Sequence, residues 1–344
     1  MTTSISSRIS AVRPLWAVEG GFVTIEGTGF AVDPVLPHLF IGGSPARLAS
    51  ASSTELTAIV PGGLDGGHTT VRLEEVPGET AYVDIGAPLA TGLHQVDSPA
   101  IDALGNVYVT FSGSRGQQGP VAIFIVRPDG SREPFVADLA NPTSLAFGPD
   151  GALHVSSRFD GSVHRIDEDG SVSTVATDLG VACGIAFSAD GTLFVGDRSG
   201  AILRVRDGRS SVFASIPPSV AAFHLAFGPD GWLYVTAPTL GARDCVYRVS
   251  PGGLVDVFHD GFGRPQGLAF DPRGDLYVVD ALAGTSGVYR LAMDRPAEAE
   301  QVVSGGALIG LAFDPRGGFV LASSDTVYRF ADSPAAHRAT DQHG

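Results

Sequence analysis

LAFGPDGALHV (145–155), IAFSADGTLFV (185–195), LAFGPDGWLYV (225–235), LAFDPRGDLYV (268–278) and LAFDPRGGFVL (311–321) are five copies of one unit, and PAIDALGNVYV (99–109) is a degenerate sixth ahead of them. Aligned on Gly105, Gly151, Gly191, Gly231, Gly274 and Gly317, the copies follow one another at 46, 40, 40, 43 and 43 residues. A repeat of that length is one four-stranded sheet in a radial array. Each copy reads as an apolar strand, a tight turn on Asp-Gly or Arg-Gly, a strand of alternating character, then a loop and further strands such as GSVHRIDEDGSVSTVA. Turns of this kind join antiparallel strands. No single sheet can bury both of its faces, so the Leu and Phe of each LAF must pack against the next copy. Burying one such side chain contributes roughly 1.5 to 3 kcal/mol.

The ends of the array indicate how a ring would close. The last copy stops after its third strand at DTVYRF (325–330), and an unpaired strand-like piece, APLATGLH (87–94), precedes the first. Pairing of residues 87–93 with 326–331 would complete the last sheet and remove the edges of an open fan. The expected architecture is therefore a six-bladed β-propeller over residues 87–331, with a flexible tail at 332–344.

Residues 1–86 carry no copy of the repeat. SRISAVRPLWAVEGGFVTIEGTGF, HLFIGGSPARLASASSTELTAIVP and HTTVRLEEVPGETAYVDIG are short alternating strands broken by Gly, Pro and Ser, which is the pattern of a β-sandwich. Gly27-Thr28-Gly29-Phe30 and Val60-Pro61 give this segment a resemblance to the TIG/IPT family of immunoglobulin-like domains. The fold class expected for the whole chain is all-β, an N-terminal immunoglobulin-like sandwich plus the propeller. Such domains serve in some proteins as partner contacts and in others as spacers, so a protein partner bound through this domain is one implication of the resemblance.

The bulk numbers agree with two folded domains. At 344 residues the chain is longer than one small core requires. Its 45 glycines and 23 prolines lie between apolar runs, and hydrophobic residues make up 44%. The 37 acidic and 22 basic residues leave a formal charge of −15, a field that argues against nucleic acid and anionic membrane as partners. Cys183 and Cys245 fall in different repeats and read as free thiols. The start, MTTSISSRISAVRPLW, lacks the apolar core of a signal peptide, and no later stretch has the length of a membrane span, which gives a cytoplasmic expectation.

The LAFGPDGxLYV copies resemble the NHL-repeat and gluconolactonase/regucalcin superfamily, and are also similar to streptogramin lyases. The likeness spans residues 87–331. It implies a small polar organic ligand at the axial channel and, in its enzymatic members, a lactonase-like hydrolase or a lyase. It also implies a divalent cation (calcium, magnesium or zinc). In the gluconolactonase family that metal is held by an acid-Gly-Pro near the first inner strand, an Asn before a G-L-A-F, and a later Asp before a Gly. The positions here are Asp97-Ser98-Pro99, Phe223 and Gln266, so only Asp97 keeps a metal-ligating side chain. Streptogramin lyases gather histidines and a glutamate around magnesium, and His224 is the one histidine here that opens an inner strand.

The loops entering each inner strand and those leaving each second strand share one face of a propeller. The entering set contains Asp97, Asn141, Cys183, His224 and Gln266, and the leaving set Ser157, Arg158, Asp197, Arg198 and Asp280. His224 stands where other copies have Gly184, Gly267 or Gly310, so it adds bulk and polarity that the repeat otherwise avoids. Asp97, His224 and Asp280 are the candidate catalytic groups, Asp97 the candidate metal ligand, and Asn141, Arg158, Cys183, Asp197 and Gln266 the candidate substrate contacts. Each has a plainer alternative. Asp197 and Asp280 end strands and suit loop capping, Arg158 could pair with Asp160, and Cys183 suits a buried inert thiol. The competing function is a non-catalytic protein-interaction scaffold.

Overall fold

The computed structural model describes residues 7–332 except 75, 77–79, 222, 283 and 284. The expected tail at 332–344 falls, from residue 333 on, outside the described residues. All regular elements among the described residues are strands, and no helix is long and apolar enough to cross a membrane.

Residues 8–85 form the sandwich. Strands Arg8–Arg13, Phe22–Thr28, Glu55–Ile59 and Ser44–Ala51 pair in that order, and Leu39–Ile41, Gly67–Leu73 and Ala81–Ile85 continue the sheet. Alternation decides which side chains point inward. Val23, Ile25, Leu56, Ala58, Val71 and Val83 fill a core from which they expose at most 1% of their surface.

The repeats form a propeller. Sheet one holds strands Ala100–Ile101, Val107–Thr110, Ile123–Val126 and Arg132–Val136, and sheet two holds Pro142–Phe147, Leu153–Ser157, Ser162–Ile166 and Val172–Ala176. Sheet three holds Ala182–Phe187, Leu193–Asp197, Ala201–Arg206 and Arg209–Ser215, and sheet four holds His224–Phe227, Leu233–Thr236, Asp244–Val249 and Val255–Phe262. A closing sheet pairs Leu308–Phe313, Phe319–Ser323 and Val327–Phe330 with the earlier strand Ala87–Ala90. In that last pairing Val327 faces Ala90 and Arg329 faces Ala87.

Five four-stranded sheets are thus free-standing, where the repeat count leads one to expect six. The copy at 265–304, strands Pro265–Phe270, Leu276–Asp280, Gly287–Leu291 and Ala299–Ser304, is instead one end of a twelve-stranded sheet. The short strand Trp16–Ala17 lies parallel both to Ala299–Ser304 and to Ala81–Ile85, so it fuses this copy to the sandwich. The physical cause is an outer edge with unpaired backbone groups, which the sandwich covers. Ser304 reinforces the seam, since its carbonyl accepts the Val18 N–H at 2.9 Å and its hydroxyl the Phe22 N–H at 2.8 Å. Trp16 and Val18 pack into the same apolar cluster as Val303, Leu308 and Phe330.

Candidate functional site

Around the axis the inner strands lie side by side. Ala100–Ile101, Pro142–Phe147, Ala182–Phe187, His224–Phe227, Pro265–Phe270 and Leu308–Phe313 touch in succession, and the last touches the first. One position recurs along them, occupied in turn by Ser98, Ser144, Gly184, His224, Gly267 and Gly310. Three of these glycines mark close backbone approach. A Cβ on Gly184 would lie 2.1 Å from the Phe223 carbonyl oxygen, one on Gly267 2.6 Å from the Gly310 Cα, and one on Gly310 2.4 Å from the Ser98 Cα. The two serines at this position, Ser98 and Ser144, accept neighbouring backbone N–H groups with their hydroxyls, and His224 is the one large side chain there.

His224 Nδ1 lies 2.5 Å from Asp97 Oδ1, with only 2% of the histidine side chain and 5% of the aspartate exposed. The two residues are 127 positions apart; Asp97 lies in the loop entering the first inner strand and His224 opens the fourth, and these strands are not neighbours in the ring, so the bond reaches over the axis. The same carboxylate oxygen accepts the Ser98 N–H at 2.6 Å. An ionised carboxylate can only accept, so Nδ1 carries the proton and, in the neutral ring, Nε2 presents a lone pair. Nε2 is buried with no hydrogen-bond partner among the described residues, and a buried polar atom in that state costs roughly 1 to 3 kcal/mol unless a partner arrives.

The other sequence candidates have local partners. Asn141 is fully buried with φ of 47°. Its amide donates to the carbonyls of Ser112 and Ser114 and accepts the Gly116 N–H at 2.6 Å, which fixes the loop between the second and third strands of sheet one. Asp197 accepts the Val181 N–H at 2.8 Å and the Ser199 hydroxyl. Asp280 accepts the N–H groups of Gly263 at 3.1 Å and Arg264 at 2.6 Å. Arg158 donates to the Gly113 carbonyl at 3.2 Å, and Asp160 is engaged by the Ser162 hydroxyl at 2.6 Å. Burial holds the Arg158 guanidinium below its ordinary value, with Arg198 and Arg115 pushing the same way. Burial, followed by the charge of Asp97, pushes the Cys183 thiol up to about 12, so it stays protonated. The Cys183 carbonyl accepts the Ser156 hydroxyl. Gln266 is buried and its backbone carbonyl accepts from the Thr236 hydroxyl at 2.5 Å.

Asp97 Oδ1 is already shared by an imidazole and an amide N–H, and among the described residues no three His, Cys, Asp or Glu side chains gather to hold a metal. Hard cations need several converging oxygens, so the residues present do not fit one at Asp97.

Sequence reasoning passed over two contributors. Ser98 is one: its hydroxyl accepts the Leu311 N–H at 3.3 Å and ties the Asp97 loop to the closing sheet. Phe223 is the other, fully buried against Gly196, where a Cβ would lie 2.2 Å from its ring. The sequence signal for Phe223 was Gly196 itself, the one small residue in LFVGD where other copies have Ser156, Thr236 or Val279.

Residues 7–82 match the IPT/TIG domain family. No curated protein matches the chain in sequence. Among solved structures, an auxiliary nutrient binding protein from Bacteroides ovatus is similar over 95% of this chain and 98% of its own, at 14% identity and a TM-score of 0.52. A gluconolactonase candidate covers 71% of this chain and 90% of its own, at 18% identity and a TM-score of 0.58. Virginiamycin B lyase from Staphylococcus aureus covers 70% and 96%, at 15% identity and 0.52. At these identities the likeness is one of fold.

Proposed function

We propose that the loop-bearing face of the propeller binds a small polar organic molecule, and that Asp97 and His224 act on it in a lactonase-like hydrolysis or a lyase reaction. The observation that carries this reading is the buried His224 Nε2, held in a defined tautomer by Asp97 and without a partner of its own among the described residues. A positioned imidazole nitrogen of that kind removes a proton from a water or from a carbon beside a carbonyl, and such groups contribute roughly 10² to 10⁴ in rate. Asp97 orients the ring and stabilises the imidazolium that forms. Asp280, Asn141 and Asp197 act through the loops they hold, and Arg158 and Gln266 supply polar contacts to the ligand. No step is routed through a metal.

The reading counts the strands at 265–304 as a sixth blade, because their inner strand touches the inner strands on both sides and their outer edge alone differs. It leaves the sandwich as an accessory module covering that edge.

The test is a panel of lactones and cyclic esters assayed with the full chain, followed by H224A and D97N. Turnover that falls at least 100-fold in both variants, with melting temperatures kept, supports the reading. Full turnover in either variant sinks it. The scaffold alternative rests on Val35 and Leu36, exposed by 63% and 53% on the sandwich; binding of a protein partner that V35D/L36D abolishes, without any small-molecule binding, would favour it.

A further inference from the structure

One position on the third strand carries an arginine in sheets two, three and four, in the 265–304 copy and in the closing sheet, and Ile125 in sheet one. Arg329 of the closing sheet makes no ion pair among the described residues and donates to the Gly105 carbonyl at 2.8 Å. Arg165 meets Asp150 at 3.0 Å and also Asp167, Arg248 meets Asp256 at 2.7 Å, and Arg290 meets Asp275 at 2.6 Å and Glu300 at 3.3 Å. Arg204 of sheet three makes no ion pair among the described residues; its guanidinium lies over the Phe213 ring at 5.7 Å. Register explains part of this. Opposite Arg204 stands Ser211, where Arg248 has Asp256 and Arg290 has Glu300. The turn explains the rest. Asp190, the counterpart of Asp150, is held by the Ser188 hydroxyl at 2.6 Å and by Arg206 at 3.5 Å, and Ser188 replaces the glycine of the neighbouring copies.

The second strand departs from its relatives at the same level. Tyr108 and Tyr234 donate to their turn aspartates, Asp102 at 3.3 Å and Asp230 at 2.8 Å, whereas sheet three has Phe194. Without that hydroxyl and without the ion pair, a cavity of about 290 Å³ opens between sheets three and four on the face of the Asp-Gly turns. Phe194, Phe213, Phe227, Leu233 and Val249 line its apolar part, and Arg204 stands on its polar side together with the Arg206–Asp190 pair. The corresponding space between sheets one and two is about 180 Å³ and is lined by Asp150, Arg165 and Asp167, which are already paired.

We infer that this cavity is a second ligand site, separate from Asp97 and His224, and that it takes a small aromatic monocarboxylate with its ring among Phe194, Phe213 and Phe227 and its carboxylate on Arg204. The phenylalanines stand edge to face, at 5.0 Å and 5.2 Å between ring centres, and offer edges and faces to a third ring. A guanidinium without a protein counter-ion binds a carboxylate through two parallel N–H donors. The occupant thus restores the charge pairing that the sister copies build from Asp256 or Glu300.

Titration calorimetry of the full chain with 2-naphthoate, and with its neutral analogue 2-naphthamide, tests the assignment. The expected result is saturable one-to-one binding of naphthoate, at least tenfold tighter than of the amide. R204Q should weaken naphthoate at least tenfold and leave the amide unchanged. F194Y rebuilds the tyrosine that other copies carry, so it is compatible with the fold, and it should abolish both by filling the cavity. Absence of saturable naphthoate binding to the wild-type chain, or binding kept by both variants, overturns the proposal. So does equal loss of acid and amide in R204Q.

Discussion

Two edges of the propeller are completed by strands from elsewhere in the chain, and the two additions do different things. In the closing sheet Ala87–Ala90 supplies the missing fourth strand, antiparallel to Val327–Phe330. In the 265–304 copy all four strands are present, and Trp16–Ala17 adds a fifth in parallel orientation, with the sandwich sheet continuing beyond it. The first addition satisfies an edge inside one repeat. The second satisfies an edge by joining two domains, which is why that copy is not free-standing. The comparison teaches that an open strand edge specifies only that something must pair with it; which segment does so depends on where the chain is tethered.

The largest effect should come from the closing strand. Replacing residues 87–90 by a Gly/Ser linker keeps the chain length but exposes the Val327–Phe330 edge and removes Leu89 and Ala90 from the cluster around Val320 and Val327. Loss of a cooperative thermal transition and concentration-dependent association in size-exclusion chromatography are expected. A monodisperse, normally melting variant would show the ring closes without this strand. Next comes W16A, which removes a buried indole from the seam and should destabilise by about 3 to 5 kcal/mol. Calorimetry should then resolve two transitions in place of one, because the sandwich and the propeller are uncoupled; a single transition at the wild-type temperature would make the seam a passive contact. S304A is milder. It leaves the Phe22 N–H without its side-chain acceptor, for a loss of about 1 kcal/mol, read as a lowered denaturant midpoint with unchanged slope.

The smallest effect is a control on sheet two, which neither added strand touches. Burial lowers the His154 pKa below its ordinary 6.5, and the ring stands edge-on to Phe187 at 4.8 Å. The unfolded chain therefore takes up this proton more readily than the folded one. The stabilisation is complete above about pH 6.5 and is lost as pH falls through the depressed folded value. H154F should flatten the melting-temperature decline between pH 6.5 and 5, and should do so equally in the wild-type and S304A backgrounds. A steeper decline in H154F would contradict the sign.

Much of the fold was legible because its signals are local. The turn glycines and the apolar alternation of each copy depend on residues a few positions apart, and Gly105, Gly151, Gly191 and Gly231 all adopt the positive φ that their turns require. The candidate site was legible in part. His224 drew notice by standing where glycine recurs, but nothing near Asp97 in sequence indicates a partner 127 residues away. Asp197 and Asp280 have the same sequence context as a rim acid and as a loop cap, and only the fold shows that they accept the amides of Val181, Gly263 and Arg264.

By itself the sequence determined strand type, repeat length and the glycines that let inner strands approach, because these follow from side-chain alternation and backbone sterics acting within a dozen residues. The tertiary structure alone decided which edge the sandwich would cover, that Asp97 would meet His224 over the axis, and that Arg204 would be left without a carboxylate among the described residues. Those outcomes depend on the relative position of strands far apart in the chain, where a shift of one residue in register exchanges Ser211 for a neighbour and changes the electrostatics of a whole cavity.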